Sequence, residues 1–286
     1  MKASRLREVL DRLPDLRILV LGDFFLDQYW SVDPRLAEDS VETGLEAHQV
    51  TEVRQSPGAA GTVANNLVAL GVGSVEALSV IGDDGNGYAL RKALTYRGVH
   101  IDRLISAPGR FTPTYTKPMR QNSVNSETEM NRFDIKNRSR TPRALQEEVI
   151  RSLEQRSLEV DGIAIMDQVE EEGCGTVTAA VRDALMKRGT QSRPVILADS
   201  RRFIGFYRSV LVKPNLSEAG EALGGGSDSP ADLARKMAAR TGRPVFLTLG
   251  GRGIGVFDGV EYSEIPALRL TGPLDIVGAG DSTNAA

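Results

Sequence analysis

Apolar residues recur along this chain in two alternating rhythms. Short apolar runs closed by glycine or an acid read as strands buried on both faces: "RILVLGD" (Arg17–Asp23), "VEALSVIG" (Val75–Gly82), "GIAIMD" (Gly162–Asp167) and "VILAD" (Val195–Asp199). The runs "SVLVKPN" (Ser209–Asn215) and "PVFLTLG" (Pro244–Gly250) continue the series. Between them lie stretches with helical spacing and glycine stops. These are "GTVANNLVALG" (Gly61–Gly71), "GYALRKALTYRG" (Gly87–Gly98), "TVTAAVRDALMKRG" (Thr176–Gly189) and "PADLARKMAARTG" (Pro230–Gly242), with Leu6–Leu13 ahead of Pro14. Strands alternating with helices of about 10–15 residues predict an α/β fold, a mostly parallel sheet with helices on both faces.

Two segments, Gln28–Gln55 and Thr112–Asp134, break that rhythm. "LEAHQVTEVRQ" alternates apolar and polar positions, and "TYTKPMR" and "TEMNRFD" flank a polar "QNSVNS" turn. Both predict extended ribbons that project from the main layer as a small β lid. No repeat, low-complexity tract or long linker divides the chain, so residues 1–286 are expected to form a single domain.

Composition narrows the function. With 35 basic and 38 acidic side chains the net charge is −3, which gives no basic excess for nucleic acid. The one cysteine, Cys174, excludes a disulfide framework within the chain. The charged N-terminus lacks the apolar core of about 7–15 residues that a secretory leader needs. No apolar run approaches the roughly 18 residues of a membrane span. A cytoplasmic chain without a nucleic-acid or membrane partner is expected.

Candidate chemistry gathers at the predicted strand ends, where parallel α/β sheets bind ligands. Asp23 and Asp27 in "GDFFLDQYW" suit a polyhydroxylated ligand, since carboxylates accept hydrogen bonds; the alternative is a turn cap and a solvated acid. "SPGAAGTVANN" (Ser56–Asn66) is either a close-approach turn at a helix start or a plain Pro-Gly turn. In "KPNLSEA", Asn215 and Glu218 have capping-box spacing; they equally suit a strand-end pair facing phosphates and hydrated Mg²⁺. "DIVGAGDST" places small residues ahead of a helix starting near Asp281, which offers free N–H groups to an anion. Asp281 is then either a proton acceptor or a helix N-cap. Neither a Walker loop nor a dinucleotide fingerprint occurs.

Taken together, these motifs resemble the ribokinase-like (PfkB) carbohydrate kinases over nearly the whole chain and in the family's order. "DIVGAGD" resembles the signature D-x-x-G-A-G-D. "GDFFLDQYW", "PGAAG", "PNLSEA" and "TKPMRQNSVNSETEMNRFD" are most like the kinase domain of the D-glycero-β-D-manno-heptose 7-phosphate kinases. The resemblance implies a three-layer ribokinase-like sandwich with a lid, ATP and Mg²⁺ as cofactors, a small sugar substrate and a homodimer contact through the lid. It implies Asp281 as the catalytic base and Gly278, Ala279 and Gly280 as the anion hole. Asn215, Glu218, Thr248 and Gly250 would serve ATP, with Glu218 reaching the metal through water. Asp27, Gly58 and Asp167 would hold the sugar, with Asp23 joining them.

Some positions depart from the family pattern. Its Gly-Gly pair is Gly58-Ala59 here, and its following Asn is Thr62. Where the heptose kinases carry D-Y-x-K-G this chain has "DQVEEEG", so acids at Glu170–Glu172 replace a lysine that meets a sugar phosphate. The family runs on after the GAGD turn, so the C-terminal part of the fold is expected to be missing after Ala286. The reading is an ATP-dependent kinase acting on a hydroxyl of a sugar or sugar phosphate, with heptose 7-phosphate as a candidate. The alternatives are a ribokinase- or fructokinase-type kinase of an unphosphorylated sugar, and a non-catalytic sugar-binding or regulatory protein on the same fold.

Overall fold

The computed structural model describes residues 3–123, 126–268 and 278–286. Part of the "QNSVNS" turn and the D-x-x portion of the GAGD signature (residues 275–277) lie outside the described residues. Helix α1 (Ala3–Leu10) leads into β1 (Arg17–Gly22). The chain then leaves the main layer through β2 (Phe24–Val32), the hairpin β3 (Glu38–Asp39) and β4 (Glu46–Ala47), and β5 (Val50–Ala59). It returns as α2 (Ala60–Ala69), β6 (Ser74–Gly82), α3 (Gly85–Tyr96) and β7 (His100–Ala107). A second excursion forms β8 (Thr114–Ser123), β9 (Ser126–Glu129) and β10 (Phe133–Ile135). Then come α4 (Arg143–Arg156), β11 (Gly162–Asp167), α5 (Ala179–Gly189), β12 (Val195–Ser200) and β13 (Leu211–Val212). The remaining elements are α6 (Leu216–Ala222), α7 (Pro230–Thr241), β14 (Val245–Thr248), β15 (Gly253–Phe257), β16 (Tyr262–Pro266) and α8 (Ala279–Ala285).

Among the described residues the main sheet has nine strands in the order β16-β15-β14-β13-β12-β11-β1-β6-β7. From β14 to β7 every neighbouring pair is parallel, and β15 and β16 add an antiparallel edge. Alternate side chains of one strand feed two cores. Leu19 and Leu21 of β1, with Ile163 and Ile165 of β11, pack under α4, α5 and α7. Val20, Ala164 and Met166 face the other way, against α2 and α3. Fully burying each such Leu or Ile stabilises the fold by about 1.5–3 kcal/mol.

The second sheet runs β10-β8-β2-β5 with β9 on β8. Residues 28–55 and 112–134 lie within this excursion, but its strands begin earlier, at Phe24, and end later, at Ile135. Strand β2 leaves β1 with only Asp23 between them, so the second sheet starts at the carboxyl edge of the first.

The differences from the sequence reading include two boundaries and one helix. The strand expected over Ser209–Asn215 is reduced to Leu211–Val212. Ser209 stands at φ 62, in the left-handed region, and its N–H donates to the Thr241 carbonyl at 2.7 Å, so it cannot join a ladder. The helix expected from Thr176 starts at Ala179, with Thr178 as its N-cap. The Thr176 hydroxyl is already committed, 3.0 Å from Ser79 Oγ and accepting the Val80 N–H at 3.2 Å. Helix α4 carries its apolar stripe on Val149 and Leu153 among charged neighbours and was not anticipated.

Candidate active site

Parallel strands place their carboxyl ends on one edge, and the site is built there. Register pairs Gly22 with Met166, Met166 with Asp199, and Asp167 with Ser200. Lys213 follows β13 directly. Acids and a lysine that are distant in sequence therefore meet above one sheet edge.

The centre of the cluster is a buried ion pair. Lys213 Nζ lies 2.8 Å from Asp199 Oδ2, and both side chains are nearly inaccessible. Asn284 Nδ2 donates to the same oxygen at 2.7 Å, and Gln168 Nε2 to Asp199 Oδ1 at 3.3 Å. Gln168 Oε1 accepts from Arg201 Nε at 2.9 Å. The sequence reading gave none of these residues a role, although Asp199 closes "VILAD" and Lys213 opens "KPN".

Asp281 sits beside this cluster as the third residue of α8. It is not the N-cap: that position is Gly278, at φ 77. Burial pushes the Asp281 carboxyl up to about 6; Asp199 and Asp27 add to the rise, while Arg201 and Lys213 oppose it. Ala279 and Gly280 complete the first turn, whose backbone N–H groups lack intrahelical acceptors. The Gly278 carbonyl accepts the Ser282 N–H at 2.8 Å.

Asn215 and Glu218 form a full capping box at the start of α6, with bonds of 2.9 and 2.8 Å. Of the two open readings, the cap is therefore present. It does not exhaust Glu218: burial raises this carboxyl to about 7, with Asp199 adding to the rise. Thr248 bridges to Asn215 as the strand neighbour, and Gly250 follows at φ 61.

On the opposite wall, Asp27 is half-buried on β2. Burial raises its carboxyl, and Lys117, Arg132 and Arg201 pull it back. Gly58 lies under it: a Cβ there would stand 2.6 Å from Asp27 Oδ2, so only glycine leaves the carboxylate its place. The next residue, Ala59, is held at φ 52, where an L side chain is strained. Lys117 Nζ donates to the Tyr29 hydroxyl at 3.2 Å.

Asp23 and Asp167 do not open onto this cleft as the sequence reading expected. Asp23 is 3% exposed, and its carboxylate accepts the backbone N–H groups of Gln168 (2.9 Å), Val169 (3.0 Å) and Thr176 (2.7 Å). It ties down the loop after β11. Asp167 is 2% exposed, and its Oδ2 takes Arg182 (3.0 Å), Ser200 (2.9 Å) and Tyr207 (3.1 Å). Burial pushes its carboxyl up to about 6 against the pull of Arg182. Both acids hold the site from behind, because a strand-end carboxylate surrounded by donors turns inward to meet them.

The three acids Glu170–Glu172 do not form an uncompensated wall. Glu171 pairs with Arg138 at 2.7 Å, and Lys136 is 3.9 Å away; Arg201 stands 4.0 Å from Glu170. Among the described residues no three His, Cys, Asp or Glu side chains gather as a self-sufficient metal site. No helix there is long and apolar enough to cross a membrane.

Comparison with known proteins bears on this arrangement. The bifunctional protein HldE of Citrifermentans bemidjiense is 31% identical over 227 residues, covering 78% of this chain and 44% of that protein. HldE of Trichlorobacter lovleyi is 29% identical over 292 residues, covering 100% of this chain and 57% of that protein. The chain thus spans about half the length of the curated relatives it matches. Among solved structures, phosphofructokinase-2 from Escherichia coli in complex with fructose-6-phosphate matches with a TM-score of 0.67 at 18% identity, over 95% of this chain and 85% of that one. Ribokinase from Thermotoga maritima matches with a TM-score of 0.64 at 16% identity, over 95% and 84%. At such identities the likeness carries the fold alone, and that fold is ribokinase-like. The model described as pfkB family carbohydrate kinase matches residues 25–286. Running from β2 to the end of α8, that match takes in nearly the whole chain, which belongs to the pfkB family of carbohydrate kinases.

Proposed function

We propose that the chain is an ATP-dependent kinase domain that transfers the γ-phosphoryl group to a hydroxyl of a sugar or sugar phosphate. One observation carries the reading: Asp281, half-buried in the first turn of α8, has its carboxyl raised to about 6, with Asp27 among the charges that raise it. A base of that strength is ionised at neutral pH yet close enough to it to take a proton well.

In this reading Asp281 accepts the hydroxyl proton of the sugar. The free N–H groups around Gly278, Ala279 and Gly280 face the charge on the transferring phosphoryl group. Asp27, given room by Gly58, accepts hydrogen bonds from sugar hydroxyls. Asn215 and Glu218 face the ATP phosphates, and Thr248 and Gly250 line the nucleotide. Asp23 and Asp167 keep the loop and strand ends in place. Mg²⁺ suits the residues present: Glu218 and Asp199 are acids in one buried neighbourhood, and Mg²⁺ takes few protein carboxylates when phosphates and water complete its shell. Glu218 would hold it through water, and the ion when bound would neutralise phosphate charge.

The acceptor we favour is a phosphorylated sugar, with heptose 7-phosphate the first to try. The sequence resemblance supports it, and Lys117, Arg132 and Arg201 are cations that act on Asp27. The acids at Glu170–Glu172 weigh less against it once Glu171 is seen paired with Arg138. The second sheet would act as the lid and carry a homodimer contact, since Val53 and Phe133 on its strands are exposed; light scattering at micromolar concentration tests that contact. A cytoplasmic location fits the substrate class. The altered turn, with Ala59 strained at φ 52, favours one second reading, a sugar-binding protein without catalysis.

A coupled assay of ADP release over a panel of sugars and sugar phosphates separates these readings. Acceptor-dependent ADP release supports the kinase. Sugar binding with no ADP release from any acceptor supports the non-catalytic reading. Faster turnover of an unphosphorylated hexose or ribose overturns the phosphorylated acceptor.

A further inference from the structure

Helix α8 has seven residues and buries one of them, Asn284. A helix this short has little stability of its own, so its place is set by what it docks on. On one side α8 packs against α2: Asn66 Nδ2 donates to Ser282 Oγ at 3.1 Å, and Ala285 lies on the core lined by Val63 and Leu67. Towards the sheet the contact is buried. Asn284 is 8% exposed and donates at 2.7 Å to Asp199 Oδ2, the oxygen that also takes Lys213. Asp199 cannot drift, because Lys213 follows β13 and Gln168 follows β11, and both hold it. Gln168 is fixed in turn by its backbone N–H on Asp23 and its side chain on Arg201. Asp281 stands three residues before Asn284, on the same side of the helix.

We propose that Asn284, seated on Asp199, is the positioning residue on the sheet side of α8: with α2 holding the other side, it fixes how the helix is turned towards the ends of β12 and β13, and so where the Asp281 carboxylate lies. Chemistry explains why asparagine serves here. A hydrogen bond to an ionised carboxylate is short, directional and stronger than a neutral one. Leucine has a similar size but takes a donor away from a buried acid. Aspartate has almost the same shape but sets a second carboxylate at hydrogen-bond distance from the first.

The docking claim stands on geometry; its catalytic consequence rests on the kinase reading. The test takes the full-length protein and its Asn284→Leu and Asn284→Asp variants at neutral pH. Hydrogen exchange over residues 278–286 reads the seating of α8 directly. Both variants are expected to lose about 10–100-fold in protection there, with Asp at least as severe as Leu, while β11, β12 and the melting temperature stay near wild type. Turnover should fall with kcat, leaving both KM values within about threefold, as expected when a group that acts in the transition state is displaced. The acid limb of the pH profile should move below about 6, as Asp281 leaves its buried place beside Asp199. Unchanged exchange in Asn284→Asp overturns the anchor, because a role of shape alone treats Asp and Asn alike. If the wild-type protein phosphorylates no acceptor, the kinase reading fails and the exchange experiment still decides the anchor.

Discussion

Asn215 and Glu218 satisfy each other's backbone: the Asn215 side chain accepts the Glu218 N–H at 2.9 Å, and the Glu218 carboxylate accepts the Asn215 N–H at 2.8 Å. This closes the start of α6 and also leaves a raised acid, at about 7, next to Asp199 and Lys213. The two roles part on one substitution. Glu218→Gln keeps an acceptor for the cap and removes a poorly solvated charge. A carboxyl raised in the folded state binds its proton more tightly than in the unfolded chain, so stability is lost as pH rises from about 4 towards about 7. Above that window Glu218→Gln should be more stable than wild type, on the order of 1 kcal/mol, while Mg-ATP turnover falls at least tenfold. Urea melts at pH 5 and pH 8, with initial rates, check both. Asn215→Ala should cost about 1 kcal/mol at either pH through loss of the cap.

Gly58 and Asp27 give a steric prediction. A methyl group at Gly58 would stand 2.6 Å from Asp27 Oδ2, so Gly58→Ala must displace the carboxylate. The KM for the sugar should rise about tenfold or more, as when a hydrogen bond from a charged group is lost, and the KM for ATP should not move. Equal changes in both constants would point instead to a general collapse of the cleft.

Ala59 stands at φ 52 directly before α2. A positive φ with ψ −118 is sparsely populated and costs an L residue about 1–3 kcal/mol, and glycine returns part of the gain through the entropy of the unfolded chain. Ala59→Gly should therefore stabilise the protein by about 0.5–1 kcal/mol in denaturant melts. An unchanged or lower midpoint would mean that the methyl group makes compensating contacts.

Much of the main layer was legible in the sequence because strands buried on both faces read as unbroken apolar runs. "GIAIMD" became β11 residue for residue, and the helices of α2, α3 and α7 were bounded by their glycines. Helix α4 was not legible, because two buried residues four apart make too thin a stripe in a charged segment. The excursion strands were visible as a break in rhythm, but the start of β2 was not, since "DFFLD" continues the apolar run of β1. In the site, single positions could be read and pairs could not. Asp199 and Lys213 meet only through the register of β12 and β13. Asp23 and Asp167 look identical to a cleft acid in sequence, and only the donors around them show that they turn inward.

Asp167 supplies the check on that last point. Its partner Arg182 stacks over Phe203 and Tyr207 at 4.8 and 5.4 Å, in a pocket of low dielectric. Removing one partner of a buried pair costs about 3–5 kcal/mol. Arg182→Met should therefore lower stability by that order in thermal or denaturant melts. A loss of sugar affinity without loss of stability would return Asp167 to the sugar site.

Whether Asp281 is the base is decided by kcat/KM as a function of pH for the wild-type protein and Asp281→Asn, at full length. Since Gly278 and not Asp281 is the N-cap of α8, asparagine should leave the fold and ATP binding intact. The wild-type rate should fall about tenfold per pH unit below about 6, set by burial of the Asp281 carboxyl. The Asp281→Asn rate should be lower by about 10²–10⁴-fold, with that acid limb gone. A folded, ATP-binding Asp281→Asn protein with near-wild-type turnover and the same acid limb would contradict that role.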